Sequence, residues 1–356
     1  KEPDFKDIFE KVYQKESDKY FSEFINLCCT FITLFKSKGY MINALPTLYS
    51  TNKAHQRPFF FQRTELFKAI VLPLLGAYEA NLEKNGAIDF SDMINQATAL
   101  VARGHQTRKY KYVIIDEYQD ISVARYELVK AILDQTGAKL LCVGDDWQSI
   151  YRFAGSDISL FTHFEQYFGS GLNLRLEQTY RNAQQLIDEA GRFVTKNPQQ
   201  MKKSLRSHRT LDYPISFMCY EATPFQTLQR IIDKIISEFG EKASILLLGR
   251  TNFDFELVRE SGLFIIGKNG SLKYNSSPTT PISFLTVHKS KGLEADNVVL
   301  LNFQNSTLGF PNKIADDPVL ELVLTAPEDF AYAEERRLFY VAITRTKNRV
   351  YILTDG

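Results

Sequence analysis

The sequence predicts an α/β protein of two parallel-sheet lobes preceded by an all-helical region. Three observations carry that reading. Apolar residues in roughly the first hundred positions recur at helical spacing, and from Tyr112 onward short apolar runs alternate with amphipathic stretches. Two consecutive runs then end in polar clusters, as strands of parallel sheets do where they meet ligands.

In the helical part, Phe21, Phe24, Ile25, Cys28, Ile32 and Phe35 share one face, with Ser17 placed to cap and Gly39 to stop the helix. Leu66, Ile70, Leu74, Tyr78 and Leu82 form a second stripe, read as core packing, with Gly86 at its end and a kink expected at Pro73. Strands are predicted at 112–115, 139–143, 172–176, 215–220, 244–248, 282–286, 297–302 and 350–354. The polar stretch 268–281 reads as an exposed loop or a much reduced insertion. The expected domains are a helical subdomain over 1–100, part of a first lobe over 101–170, and a second lobe over 171–356 with that insertion near 262–281.

Composition narrows the class. Lys and Arg number 43 and Asp and Glu 42, so net charge lends no support to nucleic-acid binding. The basic run from Lys202 to Arg209 reads first as a solvated loop and second as a phosphate contact. Cys28, Cys29, Cys142 and Cys219 show no C-x-x-C spacing, which argues against structural zinc and leaves them as buried thiols in a reducing compartment. No apolar run is long enough to cross a bilayer and the charged N-terminus has no signal core, so a soluble, cytoplasmic protein with no membrane partner is expected.

The chemistry begins where the first predicted strand runs into Asp116 and Glu117. One carboxylate there can hold Mg²⁺ and its neighbour can take a proton from an attacking water, although an adjacent Asp-Glu pair alone is more often an acidic turn. The second strand ends in Gly144-Asp145-Asp146-Trp147-Gln148-Ser149-Ile150-Tyr151-Arg152-Phe153. A glutamine in that place can address a γ-phosphate or its water. Trp147, Tyr151 and Phe153 offer faces for stacking bases, though such aromatics taken alone are more often core.

These segments resemble the UvrD/Rep-like superfamily 1 DNA helicases. Asp116 to Asp120 is similar to their Walker B motif and Val143 to Phe153 to motif III. Gln178-Thr179-Tyr180-Arg181-Asn182 resembles motif IV, Leu248 to Asn252 motif IVa, Leu285 to Glu294 motif V, and Glu335 to Thr346 motif VI. Upstream, Ile88 to Ile94 resembles the short Asp-Phe motif that precedes Walker B. The wording of motif III and the small insertion before motif V are most like the helicase IV branch.

The resemblance implies two RecA-like lobes, the first incomplete, and an ATP-driven motor that moves on single-stranded DNA and opens duplex junctions. It implies ATP and Mg²⁺ as cofactors, with Asp116 on the metal and Glu117 activating water. Gln148 senses the γ-phosphate, Tyr180 stacks on adenine, Arg181 contacts the γ-phosphate, Glu294 binds the ribose and Arg345 acts as an internal arginine finger. For the DNA strand it implies Phe153, Tyr151, Arg250, Thr286 and His288.

Phosphoryl transfer also needs a glycine loop of the form G-x-x-x-x-G-K-[ST]. Gly262-Leu263-Phe264-Ile265-Ile266-Gly267-Lys268-Asn269 comes near it but ends in Asn and has the character of a strand and turn, so it is expected to be a decoy. The resemblance puts the true loop, with an adenine-reading glutamine, ahead of the helical region, so residues 1–356 alone are expected to be inactive. Two other readings stay open: a DNA- or protein-binding module with a degenerate motor core, and a subunit of a helicase–nuclease.

Overall fold

The computed structural model describes residues 5–52, 57–105, 108–221 and 223–355, with side chains of the first helix from residue 18 onward. It divides into two compact units, one of residues 1–144, 151–168 and 316–326, the other of 145–150, 169–315 and 327–356.

In the first unit, α1 (Phe5–Ser37) and α2 (Pro58–Lys84) build a helical core with α3 (Phe90–Ala102). The helix predicted to begin at Ser17 begins earlier, so Ser17 is interior to α1, and its side chain lies outside the described residues. Just past the end of α1 stands Gly39 at φ +76°, a left-handed conformation that glycine takes without a Cβ clash. Pro58 opens α2 at a position where a missing N–H costs nothing, and Pro73 lies in its interior.

The expected core stripe on α2 is corrected here. Leu66, Ile70, Leu74 and Tyr78 are exposed, and the buried face is Phe67, Val71 and Leu75, one residue on. Phe31 and Phe24 meet Phe67 edge-on at 5.1 and 6.1 Å, and Val319, Leu322 and Val323 close the same core. On α1, Phe21 and Ile25 are likewise exposed, while Cys28, Phe31, Leu34 and Phe35 are buried. The start of α3 is a capping box in which Asp89 accepts from the Asp92 N–H at 2.8 Å and Asp92 from the Asp89 N–H at 3.3 Å. Both carboxylates also bind the buried Lys36 ammonium at 2.7 Å.

Still in this unit, β1 (Tyr112–Ile115) and β2 (Lys139–Cys142) pair in parallel through α4 (Val123–Thr136), a right-sized crossover for a βαβ unit. Further on, α5 (Ser159–Thr162) and α6 (Phe164–Phe168) bring Phe161, Phe164 and Phe168 against the buried ring of Tyr118.

The second unit holds a seven-stranded sheet in the order β3-β9-β8-β4-β7-β6-β5. Its strands are β3 (Ile215–Cys219), β4 (Ile245–Gly249), β5 (Phe264–Ile266), β6 (Leu272–Tyr274), β7 (Ser277–Thr286), β8 (Asn297–Leu300) and β9 (Val350–Thr354). From β3 to β7 the pairing is parallel; β6 and β5 add an antiparallel edge. β4 and β8 are unbroken buried runs, as expected of strands covered on both faces. Around them lie α7 (Gln184–Val194), α8 (Phe225–Phe239), α9 (Phe255–Glu260), α10 (Val287–Ser290) and α11 (Ala333–Ile343). Leu228, Ile231, Ile232 and Ile235 of α8 pack on Ile245, Leu247, Val299, Tyr351 and Leu353.

Two expectations change in this unit. Residues 172–176 form no strand: Leu172, Leu174 and Leu176 are exposed, and among the described residues no neighbouring strand supplies the hydrogen bonds that alternation alone cannot. The stretch 268–281 is not a loop but contains β6 and the start of β7, with Leu272, Tyr274, Ser277 and Thr280 buried and the Tyr274 hydroxyl donating to Asp233 Oδ1 at 2.6 Å. The glycine-lysine decoy is, as expected, a strand and turn: β5 leads into a turn closed by Gly267 N–H to Ser271 O at 2.9 Å. The thiols also differ from expectation. Cys28 is buried, but Cys29 on the outer face of α1 and Cys219 at the end of edge strand β3 are exposed. No described helix is long and apolar enough to cross a membrane.

Candidate active site

In the first unit β1 delivers Asp116 and Glu117, both exposed, beyond its C-terminal end. Asp116 Oδ1 accepts from the Glu117 N–H at 2.8 Å. Glu117 takes a left-handed backbone, φ 50° and ψ 40°, which strains a non-glycine residue by about 1–3 kcal/mol and is typical of functional turns. Its side chain is aimed by the buried Gln119, whose amide donates to Glu117 Oε2 at 2.5 Å. β2 and Gly144 wall this turn. A Cβ on Gly144 would lie 2.6 Å from Gln119 Oε1 and 2.7 Å from the Phe161 ring, so only glycine fits. Tyr151 and Phe153 meet edge-on at 6.0 Å; Tyr151 is half-buried and Phe153 is exposed. Burial, with the Asp120 and Glu117 carboxylates nearby, pushes the Tyr151 hydroxyl above its usual pKa. Arg152 between them donates to the Thr325 carbonyl at 3.0 Å and pairs with Asp316.

The second unit gathers most of the remaining candidates. Gln148 donates through Nε2 to Asp145 Oδ2 at 2.7 Å, and its Oε1 accepts from Arg345 at 3.3 Å. Arg345 is 1% exposed, and its guanidinium also donates to the carbonyls of Val341 and Leu293 at 3.0 and 3.3 Å. Next to Leu293, Glu294 accepts from Arg181 at 2.8 Å and pairs with Lys347 at 3.0 Å; these two cations hold its carboxyl below the usual range. The Tyr180 ring is 78% exposed. Burial drives the Tyr340 hydroxyl well above its usual pKa, and the charged groups around it are Asp145, Arg345, Asp146 and Arg181. Gln148, Arg181, Glu294 and Arg345 thus share one neighbourhood.

The residues expected on the DNA strand fall into different settings. Arg250 is held by Glu335, with Nε 3.1 Å from both carboxylate oxygens and a terminal nitrogen 2.5 Å from Oε1. Thr286 is buried and caps α10, accepting from the Lys289 N–H at 3.4 Å. Beside them His288 is pushed down to about 4 by burial and by the Arg250 charge, so it is neutral at physiological pH. Trp147 is buried and belongs to the core.

Several residues that hold the site escape sequence reasoning. Lys291 donates to the Gln148 carbonyl at 2.8 Å and Arg337 to the Ser149 carbonyl at 2.6 Å, so both brace the loop that carries Gln148. The basic run is an exposed loop, as expected, but several of its groups are tied down. Arg206 exchanges backbone hydrogen bonds with Glu177 and Thr179, Arg209 donates to the Arg181 carbonyl at 2.7 Å, and Lys203 pairs with Asp145 and Asp146. No spacing rule distinguishes such lysines and arginines from surface charges. Among the described residues no group of three or more His, Cys, Asp or Glu side chains could cage a metal. A single strand-end carboxylate such as Asp116 still suits Mg²⁺, which commonly takes one or two carboxylates and completes its shell with phosphates and water.

The chain is similar in sequence to known helicases. The UvrD/REP helicase N-terminal domain matches residues 2–169 and the UvrD-like helicase C-terminal domain residues 257–355. DNA helicase IV of Escherichia coli is 36% identical over 298 residues, 83% of this chain and 41% of that protein. A probable DNA helicase of Mycoplasma pneumoniae is 26% identical, covering 81% of this chain and 53% of the relative. The ATP-dependent DNA helicase PcrA of Bacillus subtilis is 29% identical, covering 59% and 29%. The chain therefore spans about half or less of the length of these relatives. A solved structure, that of PRRSV helicase, overlays 71% of this chain and 36% of its own at TM-score 0.36 and 14% identity, too slight a likeness to bear on function.

Proposed function

Since the chain belongs to the UvrD/REP helicase family, we propose that it is the motor region of an ATP-dependent DNA helicase, coupling ATP hydrolysis to movement on single-stranded DNA and to opening of duplex junctions. The relatives named DNA helicase IV and ATP-dependent DNA helicase PcrA support this reading. A cytoplasmic location goes with it.

In this reading Asp116 holds Mg²⁺, which when bound neutralises charge on the transferring phosphoryl group. Glu117, aimed by Gln119, takes the proton of the attacking water, and its exposure leaves room for that water. Gln148 reads the γ-phosphate. Its amide is held at both ends, by Asp145 and by Arg345, so little reorganisation is needed at the moment of reaction. Arg345 and Arg181 place fixed positive charge on the equatorial oxygens, Glu294 takes the ribose, and the exposed face of Tyr180 stacks on adenine. Phe153 offers a stacking face to a base, with Tyr151 behind it, and Arg250, Thr286 and His288 line the strand's path. Phe90, 88% exposed and set at the head of α3 by the Asp89–Asp92 box, is a second aromatic available to a base.

The observation that carries the proposal is the Gln148–Arg345 contact beside the Arg181–Glu294 pair. A degenerate motor core would have no reason to keep that set in register. The test is Arg345→Ala in the full-length protein. Phosphate release in the presence of single-stranded DNA should fall about 1,000-fold or more, with binding of a fluorescent ATP analogue retained. Unchanged turnover would remove the motor reading.

A further inference from the structure

The Lys203 ammonium lies against two adjacent carboxylates. It pairs with Asp145, and it approaches Asp146 Oδ1 at 2.5 Å as an ion pair outside hydrogen-bond geometry. It also stands 4.7 Å over the Trp147 ring, which Tyr340 meets edge-on at 5.3 Å. The Asp146 side chain is wholly buried and only 19% of the Lys203 side chain is exposed. The neighbouring backbone is braced to the same loop: Met201 N–H donates to Asp146 Oδ2 at 2.8 Å, and Trp147 Nε1 donates to the Met201 carbonyl at 2.9 Å.

The contact does not stop at Asp145. That carboxylate accepts from the Trp147 N–H at 3.1 Å through Oδ1 and from the Gln148 amide at 2.7 Å through Oδ2, leaving Gln148 Oε1 turned to Arg345. Two neighbouring carboxylates, one without access to water, repel each other and resist ionisation together unless a cation lies between them. Burial pushes the Asp146 carboxyl up even with the Lys203 charge opposing it. Without Lys203, one carboxylate must take a proton or swing away, and either change disturbs the acceptor that orients Gln148.

We propose that Lys203 is the positioning residue of Gln148: its charge keeps Asp145 in place as the acceptor for the Gln148 amide, and DNA-stimulated turnover depends on it although it touches no nucleotide. The inference rests on the proposed role of Gln148. Its path is Lys203 to Asp145 to Gln148 to Arg345, entirely within the second unit.

The test is a double-mutant cycle on the full-length protein, reading kcat and KM for ATP at saturating single-stranded DNA for K203M, K203R, Q148A and K203M/Q148A. K203M should lower kcat about tenfold or more with KM changed less than about threefold, and the double variant should match Q148A alone, because both act through one group. K203R, which keeps the charge, should recover most of the rate. Wild-type kcat in K203M together with a slow Q148A overturns the inference and leaves the Gln148 reading standing. Wild-type kcat in Q148A removes both. Losses that multiply in the double variant also overturn it, since Lys203 would then act by another route. Should K203M fail to fold, D145N replaces the acceptor while keeping its shape; it should slow turnover with no further loss in the Q148A background, and wild-type kcat in D145N overturns the inference.

Discussion

Arg337→Met is the sharpest test of how the second unit is held together. Arg337 is 2% exposed, and its guanidinium joins two places far apart in sequence: Nε donates to the Ser149 carbonyl at 2.6 Å, and a terminal nitrogen donates to Glu328 Oε2 at 2.9 Å. Glu328, mostly buried, also accepts from Asn197 at 3.3 Å. Methionine fills much of the volume but strands the Glu328 carboxylate and removes the donor from Ser149. Removing one partner of a buried ion pair costs about 3–5 kcal/mol. At about 2–4 °C per kcal/mol for a domain of this size, the melting temperature should drop by roughly 6–20 °C. Thermal unfolding followed by circular dichroism reads this directly. Adding Glu328→Leu removes the stranded charge and should restore part of the loss, because a buried pair exchanged for apolar groups is often close to neutral. A single variant that melts within about 1 °C of wild type, far inside the range set by that ion-pair cost, would refute the reasoning.

Two further predictions follow from the same geometry. Gly144→Ala should destabilise the protein by about 1–3 kcal/mol, because its Cβ meets the buried Gln119 and the Phe161 ring that packs on Tyr118; Gln119→Ala in the same chain should relieve part of this, as melting curves would show. The imidazole of His288, with a folded pKa of about 4 against an ordinary 6.5, is neutral when folded while the unfolded chain takes up a proton. Its contribution is therefore lost as pH falls from about 6.5 toward 4 and constant below, so the wild type should weaken over that window and His288→Gln should flatten the dependence. An NMR midpoint for His288 near 6.5 would contradict the burial argument.

What was legible in the sequence was whatever local chemistry dictates. Strands β1, β2, β4, β8 and β9 stand where their apolar runs lie, and Asp116, Glu117 and Gln148 follow strands as ligand-facing groups should. What was not legible depended on partners distant in sequence. On α2 the rows Leu66-Ile70-Leu74 and Phe67-Val71-Leu75 are both apolar at helical spacing and lie about 100° apart, and only the arrival of α1 and residues 319–323 decides which is buried. Residues 172–176 alternate like a strand, yet a strand exists only when a neighbour pairs with it. Strand β6 and the start of β7 hid behind Gly, Asn, Ser and Pro because their buried side chains are few and interleaved with turn residues. Lys203 stood in a run read as a solvated loop and Arg337 in a motif without a role of its own, and only the carboxylates and carbonyls they meet give them meaning.

We propose that Asp116 and Glu117 stand at the hydrolytic centre of an ATP-driven motor that moves on DNA, and Glu117→Gln in the full-length protein tests this most directly. The amide keeps the side chain's shape but cannot accept the proton of the attacking water. Steady-state phosphate release with single-stranded DNA should fall about 100- to 10,000-fold while ATP affinity stays within about threefold. Release at the wild-type rate would contradict the account.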